Sequence, residues 1–129
     1  LIFVNQNQQG CYCEYLFAAT AMKNGFNVSM PLLDASAYDC ILEKKGIVYK
    51  IQIKYISNTR IKGKYNKYSE QVVLRREGLG YSIRDVDYFA IYNEIDKGFY
   101  IIKNKEQKTI RLRINGPYKK NFNNFDVIS

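Results

Sequence analysis

Tyr49-Lys50-Ile51-Gln52-Ile53-Lys54, within the longer run Ile47 to Ile56, decides the reading of this chain. Its side chains alternate: Tyr49, Ile51, Ile53 and Tyr55 fall on one face, Lys50, Gln52 and Lys54 on the other. A period of two is the signature of a β-strand with one face toward a core. Upstream, Ala37 to Leu42 reads as a second strand and Glu43-Lys44-Lys45-Gly46 as a tight turn. Two strands joined by a short glycine-containing turn make an antiparallel hairpin. Asp39 lies inside the first of these strands, a position where aspartate is disfavoured and calls for a reason.

Working outward, Cys11 to Lys23 holds no proline, several alanines and apolar residues at helical spacing, and predicts a helix. Asn24-Gly25 ends it, because glycine accepts the left-handed backbone that follows a helix. Phe26 to Met30 reads as a strand stopped by Pro31, with a loop over Leu32 to Ser36. Downstream, Glu70 to Arg76 is open between strand and short helix. Val86 to Tyr92 and Phe99 to Lys103 read as strands around a turn at Asn93 to Gly98. Thr109 to Ile114 alternates again, and Phe122, Phe125, Val127 and Ile128 are spaced to pack as a short terminal helix. The fold class is α/β, a helix followed by a mixed sheet whose antiparallel hairpin carries the candidate site. The layers are open between an α+β arrangement and a mixed α/β/α sandwich. At 129 residues, positions 1–129 read as one domain.

Twenty basic residues against twelve acidic ones leave a net charge of +8, which points to a polyanionic partner, nucleic acid before membrane. The complete absence of histidine excludes Ser-His-Asp hydrolysis and histidine-based acid–base or metal chemistry. Three cysteines, Cys11, Cys13 and Cys40, form neither a disulfide framework nor a zinc knuckle; they read as reduced, with Cys13 and Cys40 as small core residues. No segment is apolar and long enough to span a bilayer and no signal peptide is visible, so a cytoplasmic protein with no membrane partner is expected.

Phosphodiester cleavage without histidine needs carboxylates, a metal ion, lysine and water. Glu14 shares its helix face with Phe17, Ala18 and Ala21, and a carboxylate on an apolar stripe is costly without a partner or a cation. Gln52 and Lys54 share one strand face about 6–7 Å apart, and the hairpin can present Asp39 to the same side. Magnesium prefers oxygen ligands and keeps several waters. Asp39, Gln52, the backbone carbonyl of Ile53 and Glu14 are therefore the candidate metal residues. Lys54 is placed to orient or activate water or to neutralise the phosphate.

The order helix Glu14, then Tyr38-Asp39, then Gln52-Ile53-Lys54 resembles the PD-(D/E)XK nuclease superfamily, over about Gly10 to Ile56. The resemblance implies a restriction-endonuclease-like core and magnesium-dependent cleavage leaving a 5′-phosphate, with manganese as a substitute metal. It assigns Glu14, Asp39 and Gln52 to the metal side and makes Lys54 the catalytic lysine. Two positions depart from the usual pattern: Tyr38 stands for the proline and Gln52 for the acid before the lysine. The second departure removes a negative charge from the metal site. Gln-x-Lys versions occur in active members, including an intron-encoded homing endonuclease. Gly46-Ile47-Val48-Tyr49 matches half of the GIY-YIG motif, but its second half is missing.

Size and layout are most similar to the small Holliday junction resolvases of archaea and their phage relatives, which are basic homodimers. The expected function is thus cleavage of branched four-way DNA by a homodimer. The alternatives are a sequence-specific homing or restriction-type endonuclease and an inactive DNA-binding module of the same fold. Expected DNA contacts are Arg60, Lys62, Lys64, Lys67, Arg75 and Arg76, with Arg111 and Arg113, beside Lys119 and Lys120, as a second basic group. Tyr65 and Tyr68 are placed to stack on bases. Asp85 and Asp87 read as structural.

Overall fold

A computed structural model describes residues 3–33, 35–56, 69–113 and 115–129. The first element is helix α1, Gln6–Lys23, which starts five residues before the expected Cys11. Asn5 caps it by accepting a hydrogen bond from the Gln8 N–H at 2.9 Å, and glutamine is a good helix former, so the polar run joins the helix. Strands β1 (Asn27–Ser29), β2 (Cys40–Lys44) and β3 (Ile47–Ile56) follow. The turn between β2 and β3 is shorter than Glu43 to Gly46. Only Lys45 and Gly46 turn, both at positive φ (54° and 80°), as a two-residue hairpin requires.

The main sheet has the order β1-β2-β3-β7-β8, with β7 at Tyr88–Asn93 and β8 at Gly98–Lys103. Strand β7 begins two residues later than the expected Val86. All pairings are antiparallel except β3 with β7, where Ile53 lies beside Ala90. The chain between β3 and β7 contributes β4 (Ser69–Val73), β5 (Arg75–Arg76) and β6 (Leu79–Gly80). Strand β4 pairs with β9 (Thr109–Arg113) as a separate two-stranded ribbon. The stretch left open between strand and helix is therefore extended. The terminal helix is instead two 3-10 turns, Lys119–Asn121 and Phe125–Val127.

Two apolar cores lie on opposite faces of the sheet. Cys13, Phe17 and Ala21 of α1 pack on Leu42, Ile51, Ile53, Ala90 and Ile101, with Phe125 stacked on Phe17. On the other face, Val72, Leu74, Ile110 and Leu112 of the ribbon pack on Ile56, Phe89, Ile91 and Ile102. All six residues of β7 are buried. The second layer, over β7, β8 and the end of β3, is thus β rather than α. Lys50, Gln52 and Lys54 are half-buried on the ribbon side.

Candidate active site

The site forms where β2 leaves β3. The last ladder pair is Cys40 with Ile51, and the Asp39 N–H still donates to the Ile51 carbonyl at 2.8 Å. Asp39 is therefore not within a strand, as expected for Ala37 to Leu42, but one residue outside it. Its carboxylate replaces the missing strand by accepting the Ile53 N–H at 2.7 Å. This explains an aspartate beside a strand end: it satisfies a backbone donor that the departing chain would orphan. The Ile53 carbonyl points from the same edge of β3, because one residue's N–H and C=O face the same neighbour. The Gln52 Nε2 reaches that carbonyl at 3.5 Å.

Helix α1 closes the other wall. Gln6, Gly10, Cys13 and Glu14 line a cleft of about 540 Å³ together with Asp39, Gln52, Ile53, Lys54 and Tyr55. The helix and hairpin thus bring Glu14, Asp39, Gln52, Ile53 and Lys54, far apart in sequence, to one cavity. Lys54 lies with its Nζ 5.5 Å from the centre of the Tyr81 ring. Lys50, two residues earlier on the same face, is committed elsewhere: its Nζ donates to the Arg84 carbonyl. Asp87 is structural, as expected. It accepts the Lys50 N–H and donates its own N–H to the Lys50 carbonyl, both at 2.8 Å.

Burial raises the Asp39 carboxyl above its ordinary value, although the Ile53 N–H and the nearby Lys54 ammonium pull it back. Burial also lowers Lys54, with Asp39 opposing the shift. Burial thus disfavours the charged form of both groups, and each charge favours the other. The thiols of Cys13 and Cys40 are pushed up to about 12, first by burial, which disfavours their thiolate forms. Both are buried and unpaired with another cysteine, as expected.

Among the described residues, no three His, Cys, Asp or Glu side chains are grouped to hold a metal by themselves. The candidate ligands among the lining residues, Glu14, Asp39, Gln52 and the Ile53 carbonyl, are two carboxylates, one side-chain amide and one backbone carbonyl. This all-oxygen set suits a hard cation such as magnesium, which also keeps waters, and does not suit zinc. Gln52 fits if its amide oxygen faces the cation, since the two ends of an amide are interchangeable by rotation.

Of the expected DNA contacts, Arg60, Lys62, Lys64 and Lys67 lie outside the described residues, as do Tyr65 and Tyr68. Arg75 and Arg76 are exposed on β5, and Arg76 Nη2 donates at 3.1 Å to the carbonyl of Ala35, in the loop leading to Asp39. Arg111 and Arg113 are exposed on β9. Tyr81, Gly10 and Gln6 belong to the surroundings of the site but carry no motif. Tyr81 is brought under Lys54 only by the return of the chain through β6.

The family description PD-(D/E)XK endonuclease matches residues 4–128, nearly the whole chain, and the chain belongs to that family. Among solved structures, a bacterial homing endonuclease, I-Ssp6803I, superposes with a TM-score of 0.76 at 22% identity. The match covers 98% of this chain and 92% of the other, which shows the same fold. No curated protein matches the chain by sequence.

Proposed function

We propose that this member of the PD-(D/E)XK endonuclease family is a magnesium-dependent enzyme that cuts duplex DNA at preferred sequences. The observation that carries the reading is the convergence of Asp39, Gln52, Ile53 and Lys54 with Glu14 in one cleft at the β2–β3 fork. Asp39, Gln52, the Ile53 carbonyl and Glu14 would hold the cation, with manganese as a substitute. A bound divalent cation supplies charge neutralisation at the phosphate. Lys54, its proton loosened by burial, hydrogen-bonds and orients the attacking water. Water oxygen bonds to phosphorus and gives its proton to bulk solvent, the bond to the 3′ oxygen breaks, that oxygen takes up a proton from solvent, and a 5′-phosphate and a 3′-hydroxyl remain. The nearby Asp39 carboxylate opposes the effect of burial and favours the charged form of Lys54. Arg75 and Arg76, beside the loop that enters the site, neutralise neighbouring phosphates.

The sequence-specific form is favoured by whole-chain likeness to a homing endonuclease, with comparable coverage of both chains. Cleavage of four-way junctions by a homodimer rests on chain size and layout and on no particular residue. The test is incubation with a random-sequence duplex pool and with an immobile four-way junction, each with magnesium and with EDTA. Metal-dependent cutting of duplex at recurrent sequences is expected. Paired nicks in the junction only would replace this reading with a resolvase, and binding without cleavage would leave a DNA-binding module.

A further inference from the structure

The geometry points to the β4–β9 ribbon as the element that reads base edges in the major groove, with Gln71 and Arg111 as specificity-determining residues. The inference rests on the sequence-specific reading above and names its recognition element. The ribbon's inner face carries Val72, Ile110 and Leu112, all buried against the sheet. That packing fixes its backbone before any ligand arrives, so little ordering cost falls on binding. Its outer face is set by the alternate residues. The register places Gln71 opposite Arg111 and Val73 opposite Thr109, and puts Arg113 at the ribbon's end. Gln71, Val73, Arg111 and Arg113 are exposed.

A two-stranded ribbon is one of the few elements that the major groove admits. The side chains offered match the chemistry found there. Arginine binds guanine O6 and N7 with two donors, glutamine binds adenine N6 and N7, and threonine or an apolar side chain meets the thymine methyl. Directly opposed residues on adjacent strands lie about 5 Å apart, so Gln71 and Arg111 address neighbouring bases. No carboxylate occurs among the described side chains of this outer face, which suits a polyanion. The ribbon is also tied to the cleft. The Leu74 N–H donates to the Lys108 carbonyl at 2.7 Å, extending the ladder, and β5 follows at once, with Arg76 bound to the loop before Asp39.

The test is cleavage selection from a random-sequence duplex pool with magnesium, for the wild type, Gln71→Ala, Arg111→Ala and Arg111→Lys. Both side chains are exposed, and unchanged melting curves confirm that the variants fold. In the expected result, each alanine variant loses the preference at one or two neighbouring positions, where discrimination of about tenfold falls to near parity. Arg111→Lys keeps the charge but loses the planar fork, and relaxes the same position as Arg111→Ala. Variants that select the wild-type sequence and merely cut more slowly would overturn the inference and leave the enzyme reading intact. A wild type with no base preference on duplex DNA would overturn both.

Discussion

Asp39 performs two tasks that pull in opposite directions. It satisfies the Ile53 N–H at the strand edge, yet burial makes its charge costly there. Its folded-state pKa is raised, so the folded chain binds this proton more tightly than the unfolded one. The stabilisation is present below the unfolded carboxyl value and is lost as pH rises through the folded value. Asp39→Asn keeps an oxygen for Ile53 without the charge. In metal-free buffer it is predicted to melt higher than the wild type at neutral pH, with the gain shrinking in acid. Added magnesium should raise the melting temperature of the wild type only. Gln52→Glu restores the acid that most family motifs carry. It should lower the magnesium concentration needed for half-maximal cleavage severalfold, read in a metal titration. These roles were partly legible beforehand. The strict alternation from Tyr49 to Tyr55 puts Gln52 and Lys54 on one face, and the helical spacing turns Glu14 inward. The exact place of Asp39 was not legible, because a side chain standing in for a strand leaves no periodic mark.

At the scale of elements, the loop that carries Tyr81 to Lys54 is held by one buried residue. The Asn104 Nδ2 donates to the carbonyls of Tyr81 at 2.9 Å and Val86 at 2.8 Å, and its Oδ1 accepts the Glu106 N–H at 2.8 Å. Asn104→Ala removes side-chain bonds from four backbone groups, the Ser82 carbonyl at 3.4 Å included, and is predicted to cost about 1–3 kcal/mol, measured by urea unfolding. Slower cleavage should accompany it, through the shifted Tyr81. A neighbouring contact makes a companion case: a Cβ at Gly80 would lie 2.3 Å from the Glu106 carbonyl oxygen, so Gly80→Ala must displace backbone. It too should lower the unfolding midpoint. Here the sequence is least informative. Val72, Val73 and Leu74 form a continuous apolar run in which neither period shows, so residues 70–76 cannot be divided between helix and strand. The partner that makes β4 a strand lies far ahead, at Thr109–Arg113.

For the whole molecule, the two-sided sheet explains how a small chain builds a rigid site. Helix α1 packs on one face and the ribbon on the other, with the start of β3 at Ile47 and Val48 exposed and the site at the β2–β3 fork. The net charge of +8 implies DNA binding that weakens steeply with salt. Arg75→Ala and Arg76→Ala should each reduce the slope of log affinity against log salt by about 1, measured by fluorescence anisotropy with a labelled duplex. Alternation and helical spacing make the sheet hairpin and α1 readable from the chain alone. The second core is not readable, because its contacts join strands separated by long stretches of sequence. The most direct test of the account is magnesium-dependent cleavage of plasmid DNA by the wild type, Asp39→Asn and Lys54→Ala, all checked for folding. The account predicts cleavage by the wild type, abolished by EDTA, and losses of about 10²–10³-fold in both variants. A folded Asp39→Asn protein that cuts as fast as the wild type would contradict it.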